Sequence, residues 1–158
     1  MKNLIAFYSY SGNTKKVAGI LEKYLETKSQ VELVEIKGLD ESGNFFAQAA
    51  RAFKRKRGKI AASNFNLAEY DTIYFGTPVW AFGPAPAMNA YLDSCFGVEG
   101  KEVVIFTTYG SGSGNKKCID YMIEILRGKG AKSFKSFSVQ QFKAGDKDFV
   151  LSQAEGAN

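Results

Sequence analysis

Apolar runs of strand length alternate with amphipathic stretches of helix length along almost the whole chain, and this leaves few folds open. Leu4, Ile5, Ala6, Phe7 and Tyr8 read as a short strand buried on both faces. Val17, Ile20, Leu21, Tyr24 and Leu25 follow at helical spacing. Further strands are expected at residues 31–36, 71–77, 103–107 and 134–139, and further helices at 43–56, 85–96, 115–127 and 146–154. Glutamates interleave the second strand, which places it at a sheet edge, and residues 60–69 read as a connection. Five strands separated by helices imply a parallel sheet with helices on both faces and right-handed crossovers. The expected class is α/β, doubly wound, in a single domain over residues 1–158.

In such sheets ligands bind beyond the carboxyl ends of the strands, where strand order reverses. The loops after the first, third and fourth strands meet there, and they hold the unusual residues of the chain. The first is Ser9-Tyr10-Ser11-Gly12-Asn13-Thr14. A helix start presents unpaired N–H groups and the positive end of the peptide dipoles, so a phosphate can sit on it. Gly12 lets the backbone approach closely, and Ser9, Ser11 and Thr14 offer hydroxyls. Taken alone, these six residues fit a turn that caps a helix equally well. The nucleotide-triphosphate loop pattern, with its lysine, is absent. The second loop, Gly76 to Pro86, carries all 3 prolines and the 1 tryptophan, and reads as a stiffened segment exposing flat apolar rings at Trp80 and Phe82. The third, Thr107 to Gly114, combines Tyr109 with glycines that allow close backbone approach. A phosphate cradle beside flat apolar faces suits a phosphorylated planar heterocycle.

Composition narrows the chemistry. The chain has 0 histidines, which removes Ser-His and Cys-His nucleophile pairs and the usual mixed-ligand zinc sites. Its 2 cysteines, Cys95 and Cys118, fall in register with the apolar faces of two helices and read as core residues; they lack redox-pair spacing. No catalytic or metal-ligating residue is therefore expected, and a bound cofactor carries the chemistry. The net charge of +5 concentrates in Arg51, Lys54, Arg55, Lys56, Arg57 and Lys59. These close the expected 43–56 helix, where cations complement the helix dipole, so nucleic-acid binding is not expected. No secretion signal and no bilayer-length apolar run are legible, so the expected location is cytoplasmic, without membrane insertion.

The set S-Y-S-G-N-T, G-T-P-V-W-A-F-G-P-A-P and T-T-Y-G-S-G-S-G, after strands one, three and four, resembles the flavodoxins and flavodoxin-like FMN proteins. The resemblance runs from Asn3 to about Ala154. It implies strand order 2-1-3-4-5, with no insertion splitting the last strand, and FMN as cofactor. Carried over by position, Ser9, Tyr10 (through its backbone), Ser11, Gly12, Asn13 and Thr14 would hold the phosphate. Pro78, Val79, Trp80, Ala81 and Phe82 would border the isoalloxazine, as would Thr108, Tyr109, Gly110 and Gly112. A backbone group of the 80–83 loop would meet flavin N5, with Gly83 free to let a peptide reorient. Two related folds fail at these positions. A low-molecular-weight tyrosine phosphatase needs a cysteine and an arginine in the first loop, and a receiver domain needs an Asp where Gly76-Thr77 stand.

The resemblance implies an electron carrier that shuttles electrons between redox partner proteins. The alternative is an FMN-dependent NAD(P)H:quinone-type oxidoreductase with a small-molecule acceptor; a third reading is a signalling or assembly domain that has lost the flavin. Shuttling flavodoxins are typically acidic, whereas this chain is basic. Its partners are thus expected to present acidic docking surfaces, and its two one-electron potentials to lie closer together. The last helix looks too short to cover its sheet face, so either the first helix or a second subunit closes the gap, leaving monomer and homodimer both open.

Overall fold

Every side chain from Asn3 to Tyr8 is buried, which fits a strand at the centre of a sheet with helices on both sides. In the computed structural model, which describes residues 1–39, 60–61 and 64–157, that strand is β1 (Lys2–Phe7). It leads into α1 (Asn13–Glu26) and the edge strand β2 (Gln30–Glu35). Then come β3 (Thr72–Trp80), the two-residue β4 (Gly83–Pro84), α2 (Pro86–Ser94) and β5 (Glu102–Tyr109). The chain continues through α3 (Asn115–Gly128), β6 (Ser133–Gln140), a 3-10 turn (Gln141–Lys143) and α4 (Lys147–Glu155). The expected basic helix at 43–56 lies outside the described residues. Among those described, no helix is long and apolar enough to cross a membrane.

The parallel order is β2-β1-β3-β5-β6, with β4 folded back antiparallel on the end of β3. Once β4 is set aside this is the expected topology. The period of two along the strands sorts side chains between two apolar layers. Leu4, Ala6, Ile73, Phe75, Val103 and Ile105 face α2 and α3, meeting Met88, Tyr91, Cys118, Met122 and Leu126. Ile5, Phe7, Val104 and Phe106 face the other way, onto Val17, Ala18 and Leu21 of α1 and Val150 of α4. Both cysteines are buried, as their register implied.

The final helix does leave its face incompletely covered. α1 reaches it where the Tyr24 hydroxyl donates to Glu155 at 2.8 Å, and a cavity of about 280 Å³ remains against Tyr74 and Val104. That cavity opens at the amino edge of the sheet. The order reversal falls between β1 and β3, and their carboxyl ends look the opposite way.

Candidate functional site

At the carboxyl edge, β1 stops at Phe7 and the chain turns through residues 8–12 into α1. Gly12 stands at the N-cap and has no side chain with which to cap the helix. Among the described residues, the amides of Tyr10, Ser11, Gly12, Asn13 and Thr14 meet no acceptor; Lys15 N–H donates to Ser9 Oγ at 3.2 Å. Asn13 Nδ2 donates to Ser11 Oγ at 3.1 Å. A row of open amides at a helix start attracts an anion. The Thr14 hydroxyl is engaged elsewhere: it shares a 2.8 Å hydrogen bond with the hydroxyl of Thr108 at the end of β5, and both residues are buried. That bond ties the first loop to the third.

The second loop departs from its expected form. Pro78, Val79 and Trp80 are not loop but the last residues of β3. Val79 pairs with Pro84 and Trp80 with Gly83, and Thr77 Oγ1 accepts from Ala85 N–H at 3.1 Å beneath the hairpin. The turn falls on Ala81 and Phe82, both left-handed at φ 45° and 66°. Positive φ at both central residues is the mirror-image hairpin turn, whose twist matches that of its strands. Gly83 is not among the positive-φ residues, so the left-handed residues of the turn precede it. Trp80 is not exposed either. It is 7% accessible, wedged edge-on between Tyr8 and Tyr10 at ring distances of 5.9 and 5.3 Å. Phe82 is half exposed, with Lys117 Nζ 5.3 Å from its ring centre.

Gly114, at the N-cap of α3, explains how the hairpin is seated. Its φ of 90° favours glycine, and a Cβ there would lie 2.4 Å from Phe82 Cδ1 and 3.0 Å from Phe82 Cα. The third loop thus packs directly under the turn. Together the loops enclose a cavity of about 470 Å³, lined by Tyr10, Ser11, Asn13, Pro78, Val79, Trp80, Thr108, Tyr109, Gly110, Ser111 and Gln141. Ser9, Gly12, Thr14, Ala81, Phe82, Gly83 and Gly112 flank this space without lining it. Gln141 belongs to none of the three loops that the sequence pattern marks. It enters from the turn after β6, where its neighbour Gln140 donates from Nε2 to the Gly110 carbonyl at 3.1 Å. The only signal for it was its position just past the last strand.

Among the described residues, the lining contains aromatic, aliphatic and neutral polar side chains but no carboxylate, lysine, arginine or cysteine. Among the described residues no cluster could hold a metal ion. Shifted groups lie outside the cavity. Glu35 faces Lys15 and Lys37 at 2.9 and 3.0 Å; burial opposes its ionisation, but the two lysines win and hold it below the usual carboxylate value. Burial pushes the Cys95 thiol up to about 11, which leaves it unreactive. The arrangement can hold a flat, anionic molecule.

Known proteins share this architecture. The flavoprotein from Lactobacillus acidophilus NCFM, solved in complex with FMN, matches 92% of this chain and 97% of its own at 24% identity, with a TM-score of 0.64. Oxidised flavodoxin 2 from Bacillus cereus matches 99% of each chain at 22% identity, with a TM-score of 0.66. FMN-dependent NADH:quinone oxidoreductase 2 of Bacillus subtilis (strain 168) is 32% identical over 103 residues, which are 54% of this chain and 48% of that protein. The chain therefore spans about half the length of that curated relative. The flavodoxin family model matches residues 2–135, covering both the open helix start after β1 and the hairpin and loop that wall the cavity. With that match over most of the fold, the chain belongs to the flavodoxin family.

Proposed function

We propose that this chain binds FMN and works as an electron-transfer flavoprotein. One observation carries the reading: the open amides at the start of α1 stand at one end of an uncharged, aromatic-walled cavity of about 470 Å³. That volume falls in the usual range for cofactor sites, roughly 300–1,000 Å³. The chemistry of the donors also fits. The amides of residues 10–14 and the hydroxyls of Ser9 and Ser11 suit a phosphate, and Trp80, Tyr10 and Tyr109 suit a fused ring system. Bound FMN would supply one- and two-electron redox chemistry. The chain's part is to bind, orient and shield. Thr14 and Thr108 lock the two loops together, the hairpin of β3 and β4 forms a stiff wall, and Tyr109, Gly110 and Gln141 form the wall opposite.

The test is titration of the purified protein with FMN, followed by visible absorption and flavin fluorescence. A saturable change with about one flavin per chain is expected. A preparation that stays colourless in excess FMN would refute the reading. A second reading, an FMN-dependent NADH:quinone oxidoreductase, draws on the likeness to the Bacillus subtilis enzyme. Rapid bleaching of the bound flavin by NADH alone would establish it, whereas a carrier needs a separate reductase.

A further inference from the structure

Among the described residues, cations outnumber carboxylates at the carboxyl edge of the sheet. α1 and α3 both start at the carboxyl edge, and neither has an acidic residue in its first turn. Each carries a lysine pair there instead, Lys15–Lys16 and Lys116–Lys117, all exposed. Cations at helix starts oppose the peptide dipole, so local stability does not account for them. Lys143 and Lys147 extend the cluster at the start of α4. The carboxylates on this edge are mostly engaged: Glu35 faces Lys15 and Lys37, Asp120 faces Lys116, and Asp146 faces Lys143. Among the described residues, Asp148 is a further one. Lys16, Lys117 and Lys147 meet no carboxylate within ion-pair distance among the described residues. The opposite edge is mixed: Lys2, Lys23, Lys28, Lys101, Arg127, Lys129, Lys132 and Lys135 stand there among Glu26, Glu32, Glu69, Asp71, Asp93, Glu99, Glu102 and Glu155, so it carries no comparable excess of cations.

Three of the exposed aromatic residues, Tyr10, Phe82 and Phe142, stand on the same cationic edge, whereas Phe96 stands on the other. Tyr10 is 39% accessible, Phe82 43% and Phe142 72%; Tyr10 lines the cavity, Phe82 tips the hairpin beside it, and Phe142 follows the lining residue Gln141. Apolar rings within a charged rim are the anatomy of a protein-docking face, in which the rings supply affinity and the rim supplies steering. A small anionic substrate would need no ring as exposed as Phe142, which does not itself line the cavity.

We propose that the carboxyl edge docks an acidic redox protein, with Lys16, Lys117 and Lys147 steering a carboxylate-rich surface onto the rings of Phe82 and Phe142. The redox arm rests on the FMN reading: a reduced iron–sulfur partner is oxidised by one electron and the bound FMN is reduced by one. The docking itself does not depend on flavin.

The probe is a purified acidic [2Fe–2S] ferredoxin, with a basic cytochrome c as contrast. Binding of each to the flavin-free full chain is followed by calorimetry. Reduction of the FMN-loaded chain by pre-reduced ferredoxin is followed by stopped flow from low to high ionic strength. The ferredoxin rate is expected to fall about tenfold or more as salt rises. Lys117→Glu with Lys147→Glu should remove most of that salt dependence and leave the flavin spectrum unchanged. Phe142→Ser should slow the reaction at every ionic strength. A ferredoxin rate indifferent to salt, or tighter binding of cytochrome c at low salt, would overturn the proposal. So would charge-reversal variants that raise the KM for NADH and leave ferredoxin binding untouched, because the edge would then serve a dinucleotide. Failure to load FMN with ferredoxin binding intact would defeat the cofactor reading and leave the docking surface standing.

Discussion

Replacing Gly76 by alanine inserts one methyl group at the most crowded point of the sheet. Phe7, Gly76, Phe106 and Phe137 stand side by side across four strands, and the missing side chain at Gly76 is filled by the ring of Phe106. A Cβ there would lie 2.1 Å from Phe106 Cζ, 2.3 Å from Cε2 and 2.8 Å from Cε1, where ordinary carbon contacts are about 3.5–4.0 Å. The ring has little room to yield. It is fully buried and stacked on Phe137 at 5.8 Å with 16° between planes. Forcing a methyl group into such packing costs about 1–3 kcal/mol, and in a domain of this size each kcal/mol lowers Tm by about 2–4 °C. Gly76→Ala should therefore melt about 2–12 °C below the parent by calorimetry or circular dichroism. The ring is the stated cause, so the penalty should shrink sharply in a Phe106→Leu background, where the branched side chain leaves space. An unchanged Tm, or an equal penalty in both backgrounds, would refute the argument.

Thr108→Val should cost about 1–3 kcal/mol in urea unfolding by leaving the buried Thr14 hydroxyl without its partner; the double change to valine should cost less than the sum of the single ones, and strict additivity would contradict the pairing. Glu35 is held below its ordinary value in the fold, so its contribution is present above the usual carboxylate range and is lost as pH falls through the depressed folded value. Glu35→Gln should then flatten the fall in stability on the acid side; identical acid limbs in both proteins would argue against it. Cys95 and Cys118 should resist an aromatic disulfide reagent in the native protein at about pH 8 and both react after denaturation, and fast native labelling would overturn their placement in the core.

The elements legible in the sequence were those whose periodicity burial imposes. Leu4–Phe7, Val103–Thr107 and the apolar face of Cys118, Met122 and Leu126 have neighbours on predictable sides, so local pattern and final packing agree. The site was legible as three loops for the same reason, because alternation places the ends of the parallel strands together. What escaped depended on partners distant in sequence. Pro78 and two nearby glycines mark residues 76–83 as a break, whereas pairing with β5 and the short β4 carries β3 on to Trp80. Trp80 is hidden by Tyr8 and Tyr10, about seventy residues away, and no local periodicity records that contact. The Thr14–Thr108 bond spans 94 positions. Gln141 gains its place only because β6 lies beside β5.

The hairpin of β3 and β4 makes one side of the cleft a braced ribbon, anchored by ladder pairs and by Thr77 on Ala85. A wall of this kind keeps its course when single lining side chains are exchanged, as a slack segment would not. Positions 78 and 79 are thus where descendants of this chain can retune what rests in the cleft, one residue at a time, with the backbone left as it is.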